Sequence, residues 1–135
     1  MKEQHIQIIR EKYPDYFHEL LNTHTYPLNK NQPDKRTVID WDQIENKRVQ
    51  PYFYKGSEKE ITEFLSNSPL NNDLELIIES GYNEPMIKTT GRYFVNNWYD
   101  LILENGDMGT CIISGDGKYI IEFTDDTSWL LYTNF

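Results

Sequence analysis

The hydrophobic period of this chain changes near Leu74, and that change limits what the chain can fold into. Before it, Ile6, Ile9, Tyr13, Tyr16 or Phe17, and Leu20 or Leu21 recur every three or four positions, the spacing of an amphipathic helix. Beyond it the period is two, as strands with one buried face require. A chain divided in this way is expected to be α+β, with N-terminal helices packed on a C-terminal antiparallel β-meander. At 135 residues it is expected to form a single domain, able to bury a core without a disulfide frame or a structural metal.

Local signals set the expected boundaries. Pro14 suits a first helical turn but not an interior one, so the first pattern divides into helices over about 2–12 and 14–23. Residues 24–36 hold two prolines in a polar stretch and read as a loop. Residues 38–44 read as a short strand. Ser57 and Glu60 form a capping box ahead of Ile61, Phe64 and Leu65, with Pro69 beyond, which predicts a helix near 58–66. Strands are expected at about 74–79, 86–90, 92–104, 108–114, 118–124 and 128–134. The last four would form the meander, joined at Asn105-Gly106, Gly115-Asp116-Gly117 and Asp125-Asp126, residue types that tolerate the positive φ of tight hairpins.

Two-residue turns keep side-chain alternation in phase from strand to strand. One face then collects Tyr99, Leu101, Leu103, Met108, Ile112, Tyr119, Ile121, Phe123, Leu130 and Tyr132, the expected core. The other collects Trp98, Asp100, Ile102, Glu104, Asp107, Cys111, Ile113, Ile120, Glu122, Trp129 and Leu131, a mixture of aromatic, aliphatic and acidic groups.

Charge is distributed as unevenly as pattern. The chain has 22 acids against 13 bases, a net charge of −9. Residues 1–67 hold 11 acids and 10 bases, whereas residues 68–135 hold 11 acids and 3 bases. A field of that sign repels nucleic acid, whose binding needs a basic footprint, and steers a basic protein toward the sheet half. On the mixed face, Asp100, Glu104, Asp107 and Glu122, with Asp125 and Asp126 in the adjoining turn, would supply the field. Trp98 and Trp129 would be the desolvated anchors of an interface. Helices packed on this face would instead bury Trp98, Trp129 and Ile120 and leave the acids on its rim.

Other classes find little support. The longest apolar run, residues 129–132, is far short of the roughly 20 residues that a membrane helix needs. The first dozen residues lack a secretory h-region, so the chain is read as starting at its mature end. A lone cysteine, Cys111, and the lack of an Asn-x-Ser/Thr acceptor in the sequence suit a reducing cytoplasm. His18 and His24 are six residues apart rather than the four that put two zinc ligands on one helical face. Gly115-Asp116-Gly117-Lys118 lacks the first glycine of a phosphate-binding loop, and Cys111 has no activating partner in sequence. No enzyme activity, metal or cofactor is expected. Lys47, Arg48, Tyr52, Phe53, Tyr54 and Lys55 mix bases with aromatics in a way that can hold single-stranded nucleic acid. Next to Pro51, the same run reads more simply as a strand anchoring a loop.

A small acidic cytoplasmic α+β domain with a negative, aromatic-bearing sheet and no catalytic motif resembles the immunity proteins of bacterial polymorphic and contact-dependent toxin systems. The resemblance rests on size, charge and architecture rather than on a motif. It implies one-to-one binding of a basic toxin domain, often a nuclease, and inhibition by occlusion. The alternative is a small ligand-binding domain or enzyme similar to the NTF2-like and cystatin-related folds, with a pocket between sheet and helices lined by Tyr13, Tyr16 and Tyr99.

Overall fold

The computed structural model describes residues 6–9, 16–29, 37–50, 56–80, 85–104, 109–124 and 130–135. Within them the elements run β1 (Ile6–Ile9), α1 (Tyr16–Thr23), a 3-10 turn (Trp41–Gln43), β2 (Arg48–Gln50), α2 (Glu58–Ser66), β3 (Glu75–Ser80), β4 (Met86–Thr90), α3 (Gly91–Glu104), β5 (Thr110–Ser114), β6 (Ile120–Phe123) and β7 (Leu131–Thr133). The strands form one antiparallel sheet in the order β1-β4-β3-β5-β6-β7-β2. The fold is therefore α+β, but its helices alternate with strands along the chain instead of preceding them.

Both faces of the sheet are covered. Leu76, Ile78, Ile87, Ile112, Ile121, Phe123 and Leu131 pack with Ile61 and Leu65 of α2 and Phe94, Val95 and Trp98 of α3. Ile77, Met86, Cys111, Ile113 and Ile120 pack on the opposite side with Phe17 and Leu21 of α1 and with Ile39 and Trp41. Central strands buried on both faces lose the alternation of a one-sided sheet, and every residue of β5 and β6 is buried.

Four expectations are corrected. Ile6–Ile9, read as part of a helix, pairs with β4 as an edge strand, with Ile6 opposite Thr89. Its β-branched isoleucines favour a pleated surface, and across four residues an apolar spacing of three cannot separate helix from strand. Residues 92–104, read as a strand, form most of α3. The buried residues Phe94, Val95, Trp98, Leu101 and Ile102 follow helical spacing. Thr90 starts that helix by accepting the Tyr93 N–H on its Oγ1 at 3.1 Å. The non-helical backbone at Asn97 (φ −136°, ψ 15°) kinks it there, and Asn97 Nδ2 donates to the Tyr93 carbonyl at 2.9 Å.

The third correction concerns residues 38–44, which hold only a single bridge from Ile39 to Leu28 and the 3-10 turn. The fourth is the phase of the last hairpin. Phe123 pairs with Leu131 and Glu122 with Tyr132, so Leu131 belongs to the α2/α3 face and Tyr132 to the α1 face, the reverse of expectation. A two-residue turn at Asp125-Asp126 would have given the other phase, but the Thr124 N–H bonds the Leu130 carbonyl at 3.0 Å and sets a longer, odd connection. The helix at Glu58–Ser66 has the expected bounds, although Ser57 makes no side-chain cap bond.

Candidate functional site

Alternation along β6 turns Ile121 and Phe123 toward α2 and α3, and Ile120 and Glu122 toward α1. Glu122 is therefore a carboxylate set beside the apolar Ile120, Cys111 and Ile113 of that face, and it is 2% exposed. Its Oε2 accepts the Val38 N–H at 2.7 Å, and its Oε1 accepts the Ile39 N–H at 3.2 Å and the Trp41 indole N–H at 2.9 Å. Burial pushes its carboxyl up to about 7, against the lowering effect of these three donors, and the charge of Glu79 adds to the rise.

The segment that supplies the donors is tied to the chain before it. The Asn29 N–H bonds the Val38 carbonyl at 3.1 Å, and the Asp40 N–H bonds the Pro27 carbonyl at 3.0 Å. Asn29 Nδ2 donates to the Ile39 carbonyl at 3.0 Å, and the Thr37 hydroxyl donates to the same oxygen at 2.6 Å. Trp41 stacks on Tyr132, with ring centroids 5.5 Å apart. Cys111 lies opposite Glu122 in the ladder. Burial, and then the neighbouring Glu122, raise its thiol well above the ordinary range, so it has no thiolate character to offer a nucleophilic reaction.

The residues expected to face a partner fall in different places. Trp98 lies on α3 and is 2% exposed; its ring stacks on Phe123 at 5.9 Å, and its indole N–H donates to Thr62 Oγ1 at 2.9 Å. It is a core residue joining α3 to α2 and the sheet, not a surface anchor. Glu122 likewise spends its carboxylate on the interior. Asp100 is exposed on α3, and Glu104 is the last residue of that helix. Asp107, Asp125, Asp126 and Trp129 lie outside the described residues. Sequence reasoning missed Val38, Ile39 and Trp41. The available signal was Glu122 itself, since an acid among Cys111, Ile113 and Ile120 on one face must find donors if that face is buried.

Exposed carboxylates lie elsewhere. On the helix layer, α2 presents Glu58, Glu60 and Glu63 against Lys59, and α3 presents Asp100. No lysine or arginine among the described residues forms an ion pair with these four acids, whereas Arg92 reaches Asp73 at 3.5 Å, Lys88 reaches Glu75 at 3.2 Å and Lys47 reaches Asp42 at 3.6 Å. A surface depression beside α2 is lined, among the described residues, by Glu58, Lys59, Thr62 and Glu63 of that helix. Tyr16, 39% exposed on α1, and Tyr99, packed on α3, lie on opposite sides of the sheet and cannot line one pocket, and Tyr13 lies outside the described residues.

Among the described residues no group of three or more histidine, cysteine or acidic side chains is placed to hold a metal ion, and no helix is long and apolar enough to cross a membrane. Of the mixed basic and aromatic run, Lys47 is paired with Asp42 and Arg48 opens the edge strand β2, while residues 52–55 lie outside the described set. In sequence, the chain matches no protein-family model and no curated protein.

Proposed function

We propose that this chain is a non-catalytic, acidic protein-binding domain that neutralises a basic protein partner, as a cytoplasmic immunity protein neutralises its cognate toxin. The observation that carries this reading is the charge of the helix layer. Glu58, Glu60, Glu63 and Asp100 stand exposed and lack a described ion-pair partner, in a chain of net charge −9. Unneutralised carboxylates on adjacent helices steer a cationic surface and disfavour phosphate. Asp107, Asp125 and Asp126 add to the field by their charge in sequence. The partner's basic surface would be occluded, and a nuclease is one class whose substrate site is basic.

The test is co-expression with the protein encoded by the neighbouring reading frame, followed by size-exclusion chromatography and measurement of the partner's activity. A one-to-one complex in which that activity is lost supports the proposal. Separate elution with the activity intact contradicts it.

A further inference from the structure

Segment 37–41 packs on the sheet through Ile39 and Trp41, and it supplies all three donors to the buried Glu122 carboxylate. We propose that segment 37–41 is a strap whose hold on the sheet is set by the proton on Glu122, tight when the carboxyl is neutral and looser when it ionises. This does not depend on the partner-binding reading.

The geometry separates the two protonation states. Oε1 takes two donors and Oε2 takes one, which leaves Oε2 as the oxygen with room for a proton. No cation offsets the ionised form: among the described residues no lysine, arginine or histidine pairs with Glu122. Groups facing it from the neighbouring strands and from the strap are neutral or negative. Across the β5 ladder stands Cys111, a neutral thiol. Across the β7 ladder stands Tyr132, stacked on Trp41. Glu79 on β3 lies opposite Cys111 and adds negative charge. The strap brings Asp40, which accepts a bond from Gln43 Nε2 at 2.5 Å. From α1 the buried contacts are Phe17 and Leu21, with His18 and Glu19 on its less buried positions. Tyr26, packed against the same cluster, donates its hydroxyl to the Gly117 carbonyl at 2.6 Å.

The sign follows from linkage. With the strap closed the carboxyl titrates at about 7, and with it open, in water, near the ordinary 4.5. The closed state therefore binds the proton more tightly, so acid favours closure and ionisation favours release. Between pH 6 and pH 8 the open population should rise about tenfold.

Carboxyl carbon NMR of Glu122 from pH 5 to 9, with hydrogen exchange at Val38 and Ile39 corrected for intrinsic rates, tests this on the intact chain. The expected result is a midpoint near 7 shared by the Val38, Ile39 and Trp41 indole N–H signals. With it comes a rise of about tenfold in opening at Val38 and Ile39, while Ile112 and Ile121 keep their protection. Glu79→Gln should lower the midpoint by removing a negative neighbour, and Trp41→Phe should raise it by removing a donor. If Trp41→Phe does not fold, the native titration and Glu79→Gln decide the matter. A midpoint below 5.5, N–H signals that do not follow it, or opening at Val38 and Ile39 equal to that of the sheet interior at every pH would overturn the proposal.

Discussion

The carboxylate of Glu122 on β6 accepts the indole N–H of Trp41 at 2.9 Å, joining residues 81 positions apart in the chain. This bond, with those to Val38 and Ile39, converts what would have been a surface acid into a fastening for the loop that covers the α1 side of the sheet. Glu122→Ala would leave three donors without an acceptor, the Ile39 N–H and the Trp41 indole among them buried, and open a void beneath Trp41. A loss of about 3–5 kcal/mol in urea unfolding is expected. A change below about 1 kcal/mol would mean that the loop is held by its apolar contacts alone.

The same residue gives global stability a pH dependence of definite sign. Its folded titration, about 7, lies above its ordinary 4.5, so the folded state binds the proton more tightly. The stability it contributes is fully present below pH 4.5 and is lost as pH rises through 7, a span worth about 3 kcal/mol. Chemical unfolding of the native chain and of Glu122→Gln at pH 5, 6, 7 and 8 isolates this contribution. The native curve should fall relative to the variant over that range, and a rise would reverse the sign argued here.

Trp98 is expected to behave as core. Trp98→Ala removes an indole stacked on Phe123 and should cost about 3–5 kcal/mol. Trp98→Phe keeps the stacking surface, loses the bond to the exposed Thr62 hydroxyl, and should cost about 1–2 kcal/mol. Thermal unfolding of the two variants separates these outcomes. Stability unchanged in Trp98→Ala would put the indole outside the core.

Gly91 begins α3 where the chain passes close to the turn after α2. A Cβ there would come within 2.9 Å of the Asn72 carbonyl oxygen and closer still to that of Leu70, both backbone atoms with little freedom to yield. The Gly91 and Arg92 N–H groups bond Leu74 and Asn72 at 2.8 and 2.7 Å, which holds the two segments together. Gly91→Ala should therefore cost about 3 kcal/mol, at the upper end of overpacking effects. Equilibrium unfolding measures it, and a neutral substitution would show that the turn can shift.

How much of this was legible in sequence depended on whether one face of an element or both were buried. The helix at Glu58–Ser66 was readable because Ile61, Phe64 and Leu65 stand out in an otherwise polar segment. The strands at Met86–Thr90 and Ile120–Phe123 were readable from their β-branched composition. Residues 91–104 were not, since the kink at Asn97 and the run Leu101-Ile102-Leu103 fit alternation about as well as a helix. The candidate site was the harder part. The excess of acids in residues 68–135 is plain from the sequence, but a count does not say which carboxylates face inward. The inward placement of Glu122 follows from Val38, Ile39 and Trp41, more than 80 residues away in sequence.

The charged helix layer can be altered without touching the core, because Glu60, Glu63 and Asp100 are exposed. Replacing all three with lysine should leave unfolding free energy within about 1 kcal/mol of the native value. Calorimetric titration of the co-expressed partner protein at 50 and 300 mM salt, with the native chain and with this triple variant, tests the central claim most directly. For the native chain the account predicts affinity falling about tenfold or more with added salt, and for the variant weaker binding with a flattened salt response. Equal affinity and equal salt response for the two proteins would contradict it.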